Sequence, residues 1–194
     1  TQALNVKALY QEMTAWYKAT RTSSKVQGEL TVERIRTQRG WPKLKAKAAA
    51  TRHLATFALE LAMEYDSGSP HDRRRVGVAQ LLADFYEIIH TESMFMSSDA
   101  REKLPNIGRR LCMMYSELSV EASTSGSRKW KFSPKHHLFL HLAEWQALEW
   151  GNPRWYWVYA DEDLVGQMIE VAHSCHPRTM AAIALYKWLS LIHI

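Results

Sequence analysis

At 194 residues, with 46% hydrophobic and 23% charged side chains, the chain has the length and balance of one globular domain with a real core, which excludes a disordered or fibrous class. Two cysteines, Cys112 and Cys175, lie far apart without a CxxC partner, which excludes a disulfide-rich scaffold and a zinc ribbon and fits a reducing, intracellular compartment. No apolar run approaches the roughly 18 residues of a membrane span, TQALNVKALYQEM does not read as a signal peptide, and the net charge is +5.

The first predicted element is a helix over 5–20, where Val6, Leu9, Tyr10, Met13, Trp16 and Tyr17 keep the three-and-four spacing of one face. A polar, basic segment follows to Gly40, with room for one helical turn around Thr31 to Arg36. Pro42 then suits a first helical position, and a long alanine- and leucine-rich helix is expected through Tyr65, its stripe running from Leu44 through Ala48, Leu54, Ala58 and Leu61. SGSP at 67–70 breaks that pattern, and Pro70 opens a new helix through Glu92 that buries Val76, Leu81, Leu82, Phe85, Ile88 and Ile89. Ser97, Ser98 or Asp99 caps a further helix bearing Leu104, Ile107, Leu111, Met114, Tyr115 and Leu118, with Pro105 inside its first two turns.

STSGSRK at 123–129 reads as a surface loop, after which Ser133 and Pro134 form an N-cap and first position for a helix ended by Gly151. The aromatic, β-branched run at 154–159 is expected to be extended, and two last helices cover DEDLVGQMIEVAHSC and PRTMAAIALYKWL. The fold class is therefore all-α, an irregular bundle of about six to seven helices without an internal repeat. A start at Thr1 with an amphipathic pattern already running by Val6 suggests that the protein begins upstream, and 189–194 reads as a translated sequencing adapter. The expectation is one helical domain over 1–188, itself part of a longer protein.

Three histidines stand within SPKHHLFLHL at 133–142, and His137 and His141 lie one turn apart on one face, the spacing zinc-binding helices use. Leu138 occupies the place of the glutamate in HExxH, so a helix start with His136, His137 and His141 bonded to neighbours is preferred, and no metal ligand is assigned. His173, Cys175 and His176 sit where a helix C-terminus is expected and read as capping groups. Charge is more informative. Residues 21–52 carry nine basic groups against Glu29 and Glu33, a local balance of +7. Within it Arg39, Lys43, Lys45, Lys47 and Arg52 are candidate contacts to a phosphate backbone, joined by Arg73, Arg74 and Arg75 at the next helix start, although such runs are also the normal make-up of a solvated face.

Taken in order, PKHHLFLHL, GNPRWYWVY and ADEDLVG, preceded by WPKLKAKAAATRHL and RRRVGVAQLLADFYEIIH, resemble the helical region that follows the catalytic core in CACTA-type transposases. The resemblance covers residues 41–172, and mobile-element reading frames of protist genomes look similar. GNP stands where the family has G-P, and 1–40 holds no aspartate for the two earlier acidic positions, so the resemblance implies a C-terminal part, inactive alone, that contacts DNA or its own catalytic core.

It also implies a nuclear location and, in the full-length protein only, about three carboxylates holding two Mg²⁺ ions for in-line attack on phosphate. Glu162 is the candidate for the last carboxylate, while Asp161 suits a helix cap. Two other readings stay open: a helical protein-interaction module that docks a partner on WYWVY, and a metal-dependent hydrolase built on the histidines.

Overall fold

Three-and-four spacing becomes helix in α1 (Gln2–Thr20), which turns Met13 and Tyr17 into the core. The computed structural model describes residues 1–22, 24–35, 40–157, 169, 172–183 and 185–186, and the chain divides into two compact units, Thr1–Trp155 and Tyr156–Ile194. Among the described residues every regular element is helical, and no helix is long and apolar enough to cross a membrane.

The segment after α1 is less of a surface loop than its polarity suggests. Val26 and Leu30 are buried and join Met13, Tyr17, Ala50 and Phe57 in one cluster. Tyr17 Oη accepts a hydrogen bond of 3.1 Å from Val26 N, so the buried backbone donor is satisfied where the chain dips inward. A single turn, α2 (Val32–Ile35), occupies the place expected for it.

The helix expected from Pro42 begins only at Ala48. Residues 41–47 are non-helical, and α3 (Ala48–His53) is separated by Leu54 from α4 (Ala55–Glu64). The reason lies in KLKAK at 43–47: Leu44 and Ala46 pack on the first core while the lysines between them are exposed, an alternation of period two. A helix would scatter those residues around its axis, whereas an extended chain puts both apolar groups inward.

Two long helices form the second half of the core. In α5 (Pro70–Thr91), Ser69 Oγ caps Asp72 N at 3.1 Å, and Pro70 takes the first position, where its missing N–H loses nothing. In α6 (Ser98–Thr124), Ser97 caps Ala100 N at 3.2 Å and Pro105 is absorbed early in the helix. Leu104, Leu111 and Leu118 repeat every seven residues along α6 and are buried, as are Val78, Leu81, Phe85 and Ile89 on α5. Arg74 near the start of α5 meets Glu117 and Glu121 near the end of α6, which fixes the pair as an antiparallel hairpin.

The chain then forms α7 (Pro134–His141), a π turn (Leu142–Gln146) and α8 (Ala147–Trp150), one rod interrupted by a wider turn. Counting that rod once gives seven helices among the described residues. Ala143 and Ala147 bury its inner face, and a Cβ on Gly108 would come within 2.6 Å of Ala143 Cβ, so glycine on α6 is what permits the close crossing.

Gly151 ends the rod at φ 88°, and Asn152, with no exposed surface, turns back to the end of α5. Its Nδ2 donates to Ile89 O at 3.0 Å and Glu92 O at 2.9 Å, while Oδ1 accepts from Arg154 N at 2.9 Å. A side-chain amide thereby supplies donors to carbonyls left open at a helix C-terminus.

The extended piece expected at 154–159 is not extended where it is described: Pro153–Trp155 is one turn of 3-10 helix, and 158–159 lie outside the described residues. In the second unit, 172–173, 180–183 and 185–186 are helical, and Thr179 N bonds to His176 O at 2.9 Å. Much of the two helices expected there lies outside the described residues.

Candidate nucleic-acid interface

Arg34 is the group that shapes the lysine segment. Its Nη1 donates to Gln27 O at 2.6 Å and Glu29 O at 2.8 Å, and its Nη2 to Lys45 O at 3.1 Å. One guanidinium fork thus ties the loop after α1 to the run 43–47, a geometry a lysine ammonium cannot reproduce. Two backbone bonds, Lys43 N to Ile35 O at 2.7 Å and Lys45 N to Arg34 O at 2.9 Å, complete the attachment. On this fixed segment Lys43, Lys45 and Lys47 are all exposed, and the side chains of Lys43 and Lys45 make no hydrogen bond or ion pair among the described residues. Lys43 and Lys45 flank the inward Leu44 on the non-helical run before the bend at Ala46, so they share the outward side and their charges add over one strip of surface.

The arginine triplet is disposed differently. Arg73 Nε and Nη2 both bond Gly68 O, at 3.0 and 2.9 Å. Arg74 bridges Glu117 at 3.0 Å and Glu121 at 3.3 Å, and Arg75 Nη2 bonds Tyr65 O at 2.6 Å and pairs with Asp72 at 3.2 Å. These three groups lock the start of α5 to the preceding loop and to α6, and the structure does not bring them onto the lysine strip as a free set. Asp72 also accepts from Ser67 Oγ and N, which with Arg75 holds its carboxyl below the usual range. Arg39 and Glu162, the remaining sequence candidates, lie outside the described residues.

Arg52 is half-buried and lines a cleft of about 310 Å³ between the α3–α4 region and α5, with His53, Gln80, Asp84, Glu87 and His90. Arg52 Nη2 lies 3.0 Å from His53 Nε2. Burial first, and then the Arg52 charge, push the His53 imidazole below its ordinary value; burial, Arg52, Arg154 and His53 do the same to His90. Both rings are thereby held toward the neutral form.

At the histidine-rich helix start, His136 makes a capping contact. Ser133 N donates to His136 Nδ1 at 3.2 Å, so the His136 side chain fills the place a glutamate takes in a capping box. His137 and His141 approach each other at 2.9 Å between Nε2 atoms on the exposed face. Among the described residues no third histidine, cysteine or carboxylate joins them in a metal-binding group. Cys112 lies against His136 O at 3.5 Å, and burial followed by the Glu144 charge pushes its thiol upward, away from nucleophilic use.

Sequence reasoning missed Asn152 and Arg34. An asparagine directly after a helix-ending glycine was the available signal for the first; nothing in spacing alone separates Arg34 from its basic neighbours. Comparison with family models, with curated proteins and with solved structures finds no match for this chain.

Proposed function

We propose that this chain is a non-catalytic helical module that contacts a nucleic-acid phosphate backbone through the strip headed by Lys43 and Lys45, as the C-terminal helical part of a transposase-like protein would. One observation carries the reading: the alternation of 43–47 sends these lysines outward from a segment that Leu44, Ala46 and the Arg34 fork hold in place. Cations on a preformed support lose little freedom on binding, and phosphate neutralisation releases counterions. DNA is the partner, alongside the rest of the parent protein, and Mg²⁺ chemistry belongs to the full-length protein.

The test is titration of labelled duplex DNA at several salt concentrations. Weak, sequence-tolerant binding with a steep salt slope is expected, and Lys43→Ala with Lys45→Ala lowers that slope by about 2, at roughly 0.9 for each phosphate no longer neutralised. Binding that ignores salt, or none at low salt, overturns the reading.

A second reading, a protein-interaction module, draws on Trp145 and Trp150, each 52% exposed with ring centroids 5.4 Å apart, and on Trp155, also exposed. Tryptophans presented this way are the residues that anchor partner proteins. Capture of a protein partner that Trp145→Ala abolishes, with no salt-dependent DNA binding, favours it over the first.

A further inference from the structure

Between α6 and α7 the chain reads RKWKFSPK, residues 128–135, in which cations and aromatics alternate and no acidic residue intervenes. We propose that the corner built from this loop and Tyr115 of α6 binds single-stranded nucleic acid, with Phe132 as a stacking platform for a base and Lys129, Lys131 and Lys135 on the backbone. These residues are distinct from the lysine strip, and the corner does not depend on the strip's binding a duplex.

The ring geometry sets Phe132 apart from an exposed apolar group left over from folding. Its ring lies nearly parallel to that of His136, 15° and 4.7 Å between centroids, and His136 in turn packs on Tyr115 at 4.4 Å. His136 is itself fixed by the capping bond from Ser133 N. Phe132 is therefore backed by an ordered stack while 49% of its surface remains exposed. Trp130, at φ 55°, sets its edge against Tyr115 at 5.4 Å and faces His71 at 6.4 Å. A left-handed conformation is uncommon for so bulky a residue and persists only where surrounding packing holds it.

Charge at the corner is equally one-sided. Lys129, Lys131 and Lys135 are exposed, and their side chains make no ion pair or hydrogen bond among the described residues. The carboxylates at this end of α6 are already engaged, Glu117 by Arg74 and Glu121 by Arg74 and His71. A duplex offers phosphates but hides its base faces, and an acidic peptide offers charge without a flat π surface. A single strand offers both at once, which matches the alternation of cation and ring in K-W-K-F.

The experiment measures binding of labelled oligo(dT) and oligo(U) of equal length, with a duplex and poly-glutamate as competitors. The expected result is that a single strand binds tighter than duplex through this corner, that Phe132→Leu weakens it about tenfold, and that Phe132→Trp restores it. Changing Lys129, Lys131 and Lys135 to alanine lowers the single-strand salt slope by about 2, at roughly 0.7 per phosphate. Preference for either oligonucleotide supports the proposal and identifies the source as DNA or RNA. Phe132→Leu binding single strands as the parent does, or poly-glutamate competing as well as oligo(dT), overturns it. Because Lys43→Ala with Lys45→Ala leaves this corner intact, a parent that binds no duplex at low salt, or a double variant that binds duplex as the parent does, refutes only the lysine strip.

Discussion

Arg73, Arg74 and Arg75 at the start of α5 carry the same kind of charge as Lys43 and Lys45 ahead of α3, yet the arginines point into the protein's own carbonyls and carboxylates while these lysines point out. Backbone conformation accounts for much of this. On a helix three consecutive residues fan out around the axis and meet three different neighbours, here Gly68, the α6 glutamates and Tyr65. On an extended segment residues two apart share a side. Side-chain chemistry does the rest, since a planar fork binds carbonyls and carboxylates along fixed directions, whereas an ammonium on a flexible stem gains little from being tied down. Net charge over a window is therefore a poor guide to an interface until the conformation beneath it is known.

Arg34 gives the strongest way to break this contrast, because it is an arginine set among the lysines and used as the triplet is used. Arg34→Ala removes three charge-assisted bonds to backbone oxygens. Discounted for solvent exposure, the loss is about 2 kcal/mol. That corresponds to a melting temperature lower by about 4–8 °C for a chain of this size. Arg34→Lys should recover little of it. Full recovery by lysine, read in the same thermal melts, would show that the fork geometry is irrelevant.

Lys43→Ala with Lys45→Ala should do the reverse. Stability stays within about 0.5 kcal/mol, as for exposed positions without partners, while duplex affinity falls on the order of tenfold and the salt slope drops. A destabilised variant with unchanged DNA binding would erase the distinction between the two runs.

Smaller again is the effect of Arg73→Ala with Arg74→Ala. These bonds are partly exposed, and the pair should lose about 1 kcal/mol of stability, with the salt slope of DNA binding unaltered. A shallower slope in this variant would place the triplet at the interface after all.

How much of this was legible beforehand depends on which forces were in play. Helices α1, α5 and α6 and the start of α7 were readable because apolar periodicity agreed with the start signals at Pro70, Ser97, Ser133 and Pro134. The helix over 42–47 was misread because alanine and lysine carry good helical propensity, and propensity yields to the burial of Leu44 and Ala46. Val26 and Leu30 were lost in a polar segment because two isolated apolar residues make no period. The lysines could be named from sequence as candidates. That Arg34 supports them, and that Arg73 to Arg75 are occupied, depends on partners distant in the chain.

The smallest expected effect lies at the boundary between the two regimes, where Arg52 turns into the cleft beside His53 and His90. Both histidines have folded values below the ordinary 6.5, through burial first and then the cation. The folded state takes up these protons less readily than the unfolded chain, so their contribution is complete above about pH 6.5 and is lost as pH falls from there through the lowered folded values. Asp72, whose folded value is also depressed, loses its contribution only below the carboxylate range, well outside this window. Between pH 7.5 and 5.5 the melting temperature should fall by about 1–3 °C more in the parent than in a His53→Gln, His90→Gln variant. Arg52→Ala should shrink the same difference by removing the cation that disfavours imidazolium. The opposing outcome has a structural basis, because Asp84 and Glu87 line the same cleft and would favour the charged rings if they dominated. A parent that gains stability over the double variant on acidification would show that these carboxylates outweigh burial and Arg52, and that this arginine belongs with the outward lysines rather than with the inward triplet.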